Sequence, residues 1–260
     1  MNKRLEDWIN WILIDELKSG IINAPKHLLG NHDYGDGQVI MVYRPHAEKV
    51  CVVSPTGKNR DEMECLSDGV YGFYSAKKKY KGTKYRIETT YQDGTTVVTA
   101  DAYAFDSQIT DFDTYLFAEG KHYDVYEKFG AHPMTIDGVK GTYFAVWAPH
   151  ARRVSVVGDF NMWDGALNPM QMMQTSGIYE LFIPDVAPGA VYKYQILTRD
   201  GEILYKADPY GNQCQVRPDN ANVVADLTGY KWKDTDWIEN LSLIHMSEPK
   251  RLQIISYAVF

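Results

Sequence analysis

Residues 144–151 read Phe144-Ala145-Val146-Trp147-Ala148-Pro149-His150-Ala151, and Arg153-Val154-Ser155-Val156-Val157 follows after one residue, Arg152. An earlier stretch has the same form: Val39 to Val42, Arg44-Pro45-His46-Ala47, then Lys49-Val50-Cys51-Val52-Val53. Working outward, Leu29-Gly30-Asn31-His32 matches Phe129-Gly130-Ala131-His132, Gly69-Val70-Tyr71 matches Gly177-Ile178-Tyr179, and Tyr85-Arg86-Ile87 matches Tyr192-Lys193-Tyr194. Asp93-Gly94 pairs with Asp200-Gly201 and Ala100-Asp101 with Ala207-Asp208, the offset drifting only from 100 to 108 residues. An internal repeat of this length is one domain written twice.

Each copy is built from short runs of Val, Ile, Tyr, Phe and Thr broken by Gly, Asp-Gly and Pro turns, the pattern of an antiparallel β-sandwich. Along one strand Tyr143, Ala145 and Trp147 share a face, which makes Trp147 a core residue. Along another, Tyr192, Tyr194 and Ile196 point one way and Lys193 and Gln195 the other. Ahead of the first copy, Leu5, Trp8, Ile9, Ile12, Leu13 and Leu17 recur at helical spacing up to the stop at Gly20, predicting one amphipathic helix of about five turns. No second helical period stands out. The expected architecture is all-β: an N-terminal helix over 1–20, then two tandem immunoglobulin-like β-sandwiches over 21–117 and 122–230. The linker falls near Phe117 to His122, where Gly120 is the breaker. Residues 231–240 read as a connector carrying Trp232 and Trp237. Residues 241–260 match neither copy and read as a non-native tail.

Composition narrows the function. Lys plus Arg number 27 against 34 Asp plus Glu, a net charge of −7 that gives no electrostatic footprint for nucleic acid or an anionic membrane. Three cysteines, Cys51, Cys65 and Cys214, form neither a disulfide framework nor a zinc spacing, so a reducing cytoplasm suits the chain. The apolar run Trp8 to Ile14 is short and flanked by acids, unlike a signal peptide or membrane span.

No nucleophile elbow, phosphate-cradling loop or His-Glu-x-x-His occurs. Asn31-His32-Asp33 is superficially like a triplet of glycosidase sites, but it pairs with Ala131-His132 in the repeat and reads as a strand-entry loop. No catalytic residue, metal ligand set or cofactor is expected. Binding is better supported. Trp163 lies in the loop Gly158-Asp159-Phe160-Asn161-Met162-Trp163-Asp164-Gly165, where an exposed indole could stack on a pyranose ring or, alternatively, cap the sandwich edge. Lys193 alone is a solvated charge and gains meaning only beside Trp163. Asn222, at the start of a late strand, serves a turn or a ligand equally well.

Taken together, Phe144-Ala145-Val146-Trp147-Ala148-Pro149, Val156-Val157-Gly158-Asp159-Phe160-Asn161, Trp163-Asp164-Gly165, Tyr192-Lys193-Tyr194 and Lys206-Ala207-Asp208-Pro209-Tyr210-Gly211 resemble the family-48 carbohydrate-binding module of bacterial 1,4-alpha-glucan branching enzymes. The preceding copy resembles the extra N-terminal sandwich of the longer members, so the resemblance spans about residues 20 to 240. It implies α-glucan binding through a loop Trp, a strand Lys and a late Asn, which fall on Trp163, Lys193 and Asn222. The second binding Trp of such modules would fall near Ile203 to Tyr205, where none stands.

The resemblance further implies an intramolecular partner, an α-amylase-type barrel that transfers α-1,4 segments to α-1,6 branch points. The catalytic residues would then lie outside this chain, which should be inactive alone. The first copy has Val53-Ser54-Pro55-Thr56-Gly57 where the second has its Trp loop, so it reads as a structural or barrel-docking sandwich. Two further readings stay open: docking sandwiches that bind no sugar, and the module of a debranching glycoside hydrolase.

Overall fold

The computed structural model describes residues 3–239. The apolar helical run is not one helix. Asn10 breaks it by accepting from the Ile12 amide at 3.1 Å, and so becomes the N-cap of a second helix. The result is α1 (Lys3–Trp8) and α2 (Trp11–Lys18). The first sandwich follows as β1 (Gly30–Tyr34), β2 (Gly37–Tyr43), β3 (Ala47–Val53), β4 (Arg60–Glu62), β5 (Glu64–Ser67), β6 (Val70–Ser75), β7 (Arg86–Tyr91) and β8 (Thr96–Thr99). After α3 (Asp111–Ala118) the second comprises β9 (Gly130–Ile136), β10 (Val139–Trp147), β11 (Ala151–Gly158), β12 (Gln171–Met172), β13 (Ile178–Pro184), β14 (Val191–Thr198), β15 (Ile203–Lys206), β16 (Gln213–Cys214) and β17 (Asn222–Val223).

The repeat is a repeat of topology. The sheet β1-β2-β6-β5 has the same order as β9-β10-β13-β12, and the facing sheets are β4-β3-β7-β8 and β11-β14-β17-β16, with β15 also on β14. All of these pairings are antiparallel. Between the sheets of the first sandwich lie Ile40, Val42, Val50, Val52, Tyr71, Tyr85 and Ile87. Phe144, Val146, Val154, Val156, Leu181, Tyr192 and Tyr194 fill the second.

Each first sheet is also covered on its outer face. Leu5 of α1, Ile9 between the helices, and Ile14 and Leu17 of α2 pack on Val39, Met41 and Val70. In the second copy, Ala100, Phe105, Ile109 and Phe129 cover Tyr143, Ala145, Ile178 and Phe182. The helix α3 occupies, 100 residues on, the place of α2: Gly20 and Gly120 close the two helices with φ of 65° and 67°. The linker expected near Phe117 to His122 is thus the end of a helix that sequence periodicity did not reveal. Its start is a capping box, Thr110 with Asp113, but it buries no residue and its first turn is built from poor helix formers.

Trp147 is a second correction. Tyr143 and Ala145 on its strand face are buried, but Trp147, at the end of β10, meets only the edge of the cover at Phe117 and is 50% exposed. A separate compact unit begins at Asp226 and contains α4 (Thr235–Glu239) and an edge-to-face contact of Tyr230 with Trp232. Trp232 and Trp237 are exposed there. The tail expected over 241–260 lies outside the described residues.

Candidate functional site

The Trp163 loop leaves β11 at Gly158, where a Cβ would meet the Val191 carbonyl at 2.2 Å. Asn161 then organises the turn from inside. Buried, it accepts from the Gly158 amide at 2.9 Å and donates to the Val156 carbonyl at 2.9 Å and the Asn168 Oδ1 at 2.8 Å. Two consecutive non-glycine residues, Met162 and Trp163, take left-handed φ of 55° and 60°. Such backbone costs of order 1–3 kcal/mol per residue and persists only where its surroundings dictate it. Here the Trp163 amide donates to Gly158 O at 2.9 Å and its indole Nε1 to Asp159 Oδ1 at 2.8 Å. The indole is half-buried, its edge fixed within its own loop.

The loop then lies across the outer face of β14. Gly165 approaches Gln195 so closely that a Cβ there would sit 1.9 Å from Oε1. On that face Lys193 precedes Gln195 by two residues, opposite Val157 of β11. The Trp163 loop and Lys193 therefore come from the paired strands β11 and β14.

Asn222 is not brought to that face. It is buried at 1% exposure, its Oδ1 accepts from the Asp208 amide at 2.6 Å, and Nδ2 donates to Cys214 Sγ at 3.5 Å. That amide closes the second sandwich and meets no solvent. The amide that does reach Lys193 is exposed Asn220, whose Oδ1 accepts from Nζ at 2.5 Å.

Sequence reasoning also passed over Tyr205. No Trp stands on β15, but Tyr205 pairs with Gln195, is 50% exposed, and its hydroxyl accepts from Gln195 Nε2 at 2.9 Å. The alternation of β15 against β14 was the signal available. Beneath the face, Arg153 donates to Gln195 Oε1 and is buried enough to lower its basicity. The resulting surface offers an indole, a phenol ring, an ammonium and an amide, a set suited to a neutral, hydroxyl-rich ligand.

Among the described residues no group of His, Cys, Asp and Glu could hold a metal ion, and no helix is long and apolar enough to cross a membrane. Two of the histidines are bonded locally: His32 Nε2 to Leu29 O and His132 Nε2 to Phe129 O, at 3.1 and 2.8 Å.

Residues 128–211 match the family described as carbohydrate-binding module 48 (isoamylase N-terminal domain), and residues 10–103 that of the alpha-1,4-glucan branching enzyme GlgB, N-terminal domain. Among curated proteins, the 1,4-alpha-glucan branching enzyme GlgB of Synechocystis sp. is 46% identical over 217 residues, 82% of this chain and 27% of its own. Those of Thermosynechococcus vestitus and Nitrosococcus oceani are 43% and 40% identical over 87% of this chain and 30% of theirs. The chain thus spans less than a third of the length of these relatives.

Proposed function

We propose, from a chain that belongs to the 1,4-alpha-glucan branching enzyme family as its N-terminal portion, that the second sandwich binds α-glucan through the face of Trp163, Lys193, Tyr205 and Asn220. The observation that carries this is the pair of left-handed residues Met162–Trp163, which commit backbone strain to the loop that carries the indole out of β11, the strand paired with the β14 that bears Lys193. Asn222 then positions the late strand and touches no sugar. The chain itself carries out no chemistry. It holds glucan for an α-amylase-type barrel that, in the full-length protein, transfers α-1,4 segments to α-1,6 branch points.

An exposed aromatic face supports the barrel as partner. Phe112, Tyr115, Tyr123, Tyr126 and Trp147 are each half or more exposed, and Phe117 bridges α3 to Trp147 with ring centroids 5.5 Å apart. The curated relatives continue for more than twice the length matched here.

Native electrophoresis through gels containing glycogen, amylose or cellulose tests the glucan face. Retardation by the two α-glucans and not by cellulose, lost in Trp163→Ala, is the expected result. A folded protein unretarded by any glucan would assign both sandwiches a docking role alone.

A further inference from the structure

We propose that the first sandwich carries a second, separate binding site, a groove for a small sugar phosphate. The groove lies between β1 and the segment that follows β6. Its volume is about 530 Å3, within the usual range for small-molecule sites, and Asn31, Asp33, Gln38, Lys78, Tyr80 and Lys81 line it.

The segment Lys77-Lys78-Lys79-Tyr80-Lys81 is a local basic cluster in a chain of net charge −7. Lys79 is engaged by Asp61 at 2.5 Å and Lys78 by Asp33 at 2.7 Å. Lys77 and Lys81 have no carboxylate within 4 Å among the described residues, and both are exposed. The backbone carrying them is held firmly. Buried Gln38 accepts from the Tyr80 amide at 2.8 Å and donates to the Tyr80 carbonyl at 2.9 Å, and Asn31 donates to the same carbonyl at 3.1 Å.

The repeat supplies an internal control. Aligned on Gly82 and Gly189, the positions of Lys77, Lys78, Lys79 and Lys81 are Pro184, Asp185, Val186 and Pro188 in the second copy. Asn31 and Asp33 of β1 likewise correspond to Ala131 and Pro133 of β9. The same strands therefore form without the lysines, so the scaffold does not require them. The Lys78 and Lys81 ammonium groups, on flexible stems at a rigid groove, suit a phosphate, and the Gly82 carbonyl at its wall, which accepts from Asn31 Nδ2 at 3.4 Å, keeps a second lone pair for a sugar hydroxyl. In this arrangement Asp33 is a tethered anion on Lys78. It is 74% exposed, and a phosphate would displace it.

Calorimetric titration of the full chain with glucose 1-phosphate, inorganic phosphate and glucose at low ionic strength tests the site. Binding of glucose 1-phosphate, weaker binding of phosphate and none of glucose is expected, with affinity falling as salt is added. Lys81→Gln should weaken binding about five- to tenfold, and Asp33→Asn should tighten it about three- to tenfold by removing the competing anion. Both changes are at exposed positions, and circular dichroism confirms folding. Trp163→Ala should leave this binding unaltered, which separates the groove from the glucan face. Glucose binding as well as its phosphate, inorganic phosphate binding as well as glucose 1-phosphate, Asp33→Asn failing to tighten, or no binding to folded protein would each overturn the proposal.

Discussion

The Tyr192 hydroxyl donates to the Asp208 carboxylate across 2.6 Å, and sixteen residues also separate Tyr85 from Asp101, which repeat the bond at 2.6 Å in the first sandwich. Each Asp also accepts a backbone amide two residues on, from Tyr103 and Tyr210. Each Tyr103 or Tyr210 carbonyl in turn crowds a glycine at the head of the opening strand. A Cβ on Gly30 or Gly130, at φ of 105° and 107°, would meet it at 2.7 or 2.9 Å. The repeated letters of the two copies thus encode one lock used twice. The locks differ in one respect: Asp208 has a further donor, Tyr194, at 3.1 Å. Tyr85→Phe should therefore cost about 3 kcal/mol and Tyr192→Phe about 1.5, since only the latter leaves its carboxylate another hydroxyl. Urea unfolding of the two variants measures the order.

The same locks set a pH dependence. Burial, reinforced by the neighbouring carboxylates, holds the Tyr85 and Tyr192 phenols well above their ordinary range. An unfolded chain releases these protons from about pH 10, while the folded one keeps them, so stability is complete below that pH and falls as pH rises beyond it. Burial also raises the Asp101 and Asp208 carboxyls, so these two groups add stability as pH falls through their folded values, opposing acid unfolding. Urea midpoints measured from pH 9 to 11 should decline more steeply for the natural chain than for Tyr85→Phe.

The sandwiches were legible because their signal is local and doubled. Alternation in Tyr192, Lys193, Tyr194 and Gln195 corresponds directly to inner and outer faces, and two copies corroborate each turn. What escaped depends on partners distant in sequence. Helix α3 buries none of its side chains, so no periodic face marked it. Trp147 obeys the alternation of β10 yet, at the strand's end, is touched by Phe117 of the 100–129 segment without being enclosed, a matter of tertiary packing. At the glucan face the Trp163 loop and Lys193 were readable from turn chemistry and strand parity. Asn222 was not, because only pairing to Tyr192 on β14 shows its amide turned inward.

Glu180 ties the segment between the sandwiches to the second one. Its Oε2 accepts from the Tyr143 hydroxyl at 2.7 Å and from the Gln108 and Ile109 amides at 3.1 Å each, and Lys26 Nζ lies 3.8 Å from Oε1. Burial lowers the Lys26 basicity although Glu180 opposes this. Glu180→Ala would leave three donors without their acceptor and a desolvated ammonium without its counter-charge, a loss of about 3–5 kcal/mol. Chemical unfolding should record it, and limited proteolysis should find the 104–122 segment newly cleavable.

Asn161 separates the shape of the glucan face from its contacts. The side chain is buried, so it can meet no ligand, yet it makes the three hydrogen bonds that force Met162 and Trp163 into left-handed backbone. Asn161→Ala strands one amide and two acceptors and should cost about 2–3 kcal/mol, after which nothing compels the loop to keep its strained form. Retardation by glycogen should then fall nearly as far as in Trp163→Ala, although the indole is still present. Asn161→Asp, which keeps the acceptor for Gly158 and loses both donors, should fall between the two. If Asn161→Ala unfolds no further than expected and still binds glycogen like the natural chain, the strained backbone is not what presents Trp163.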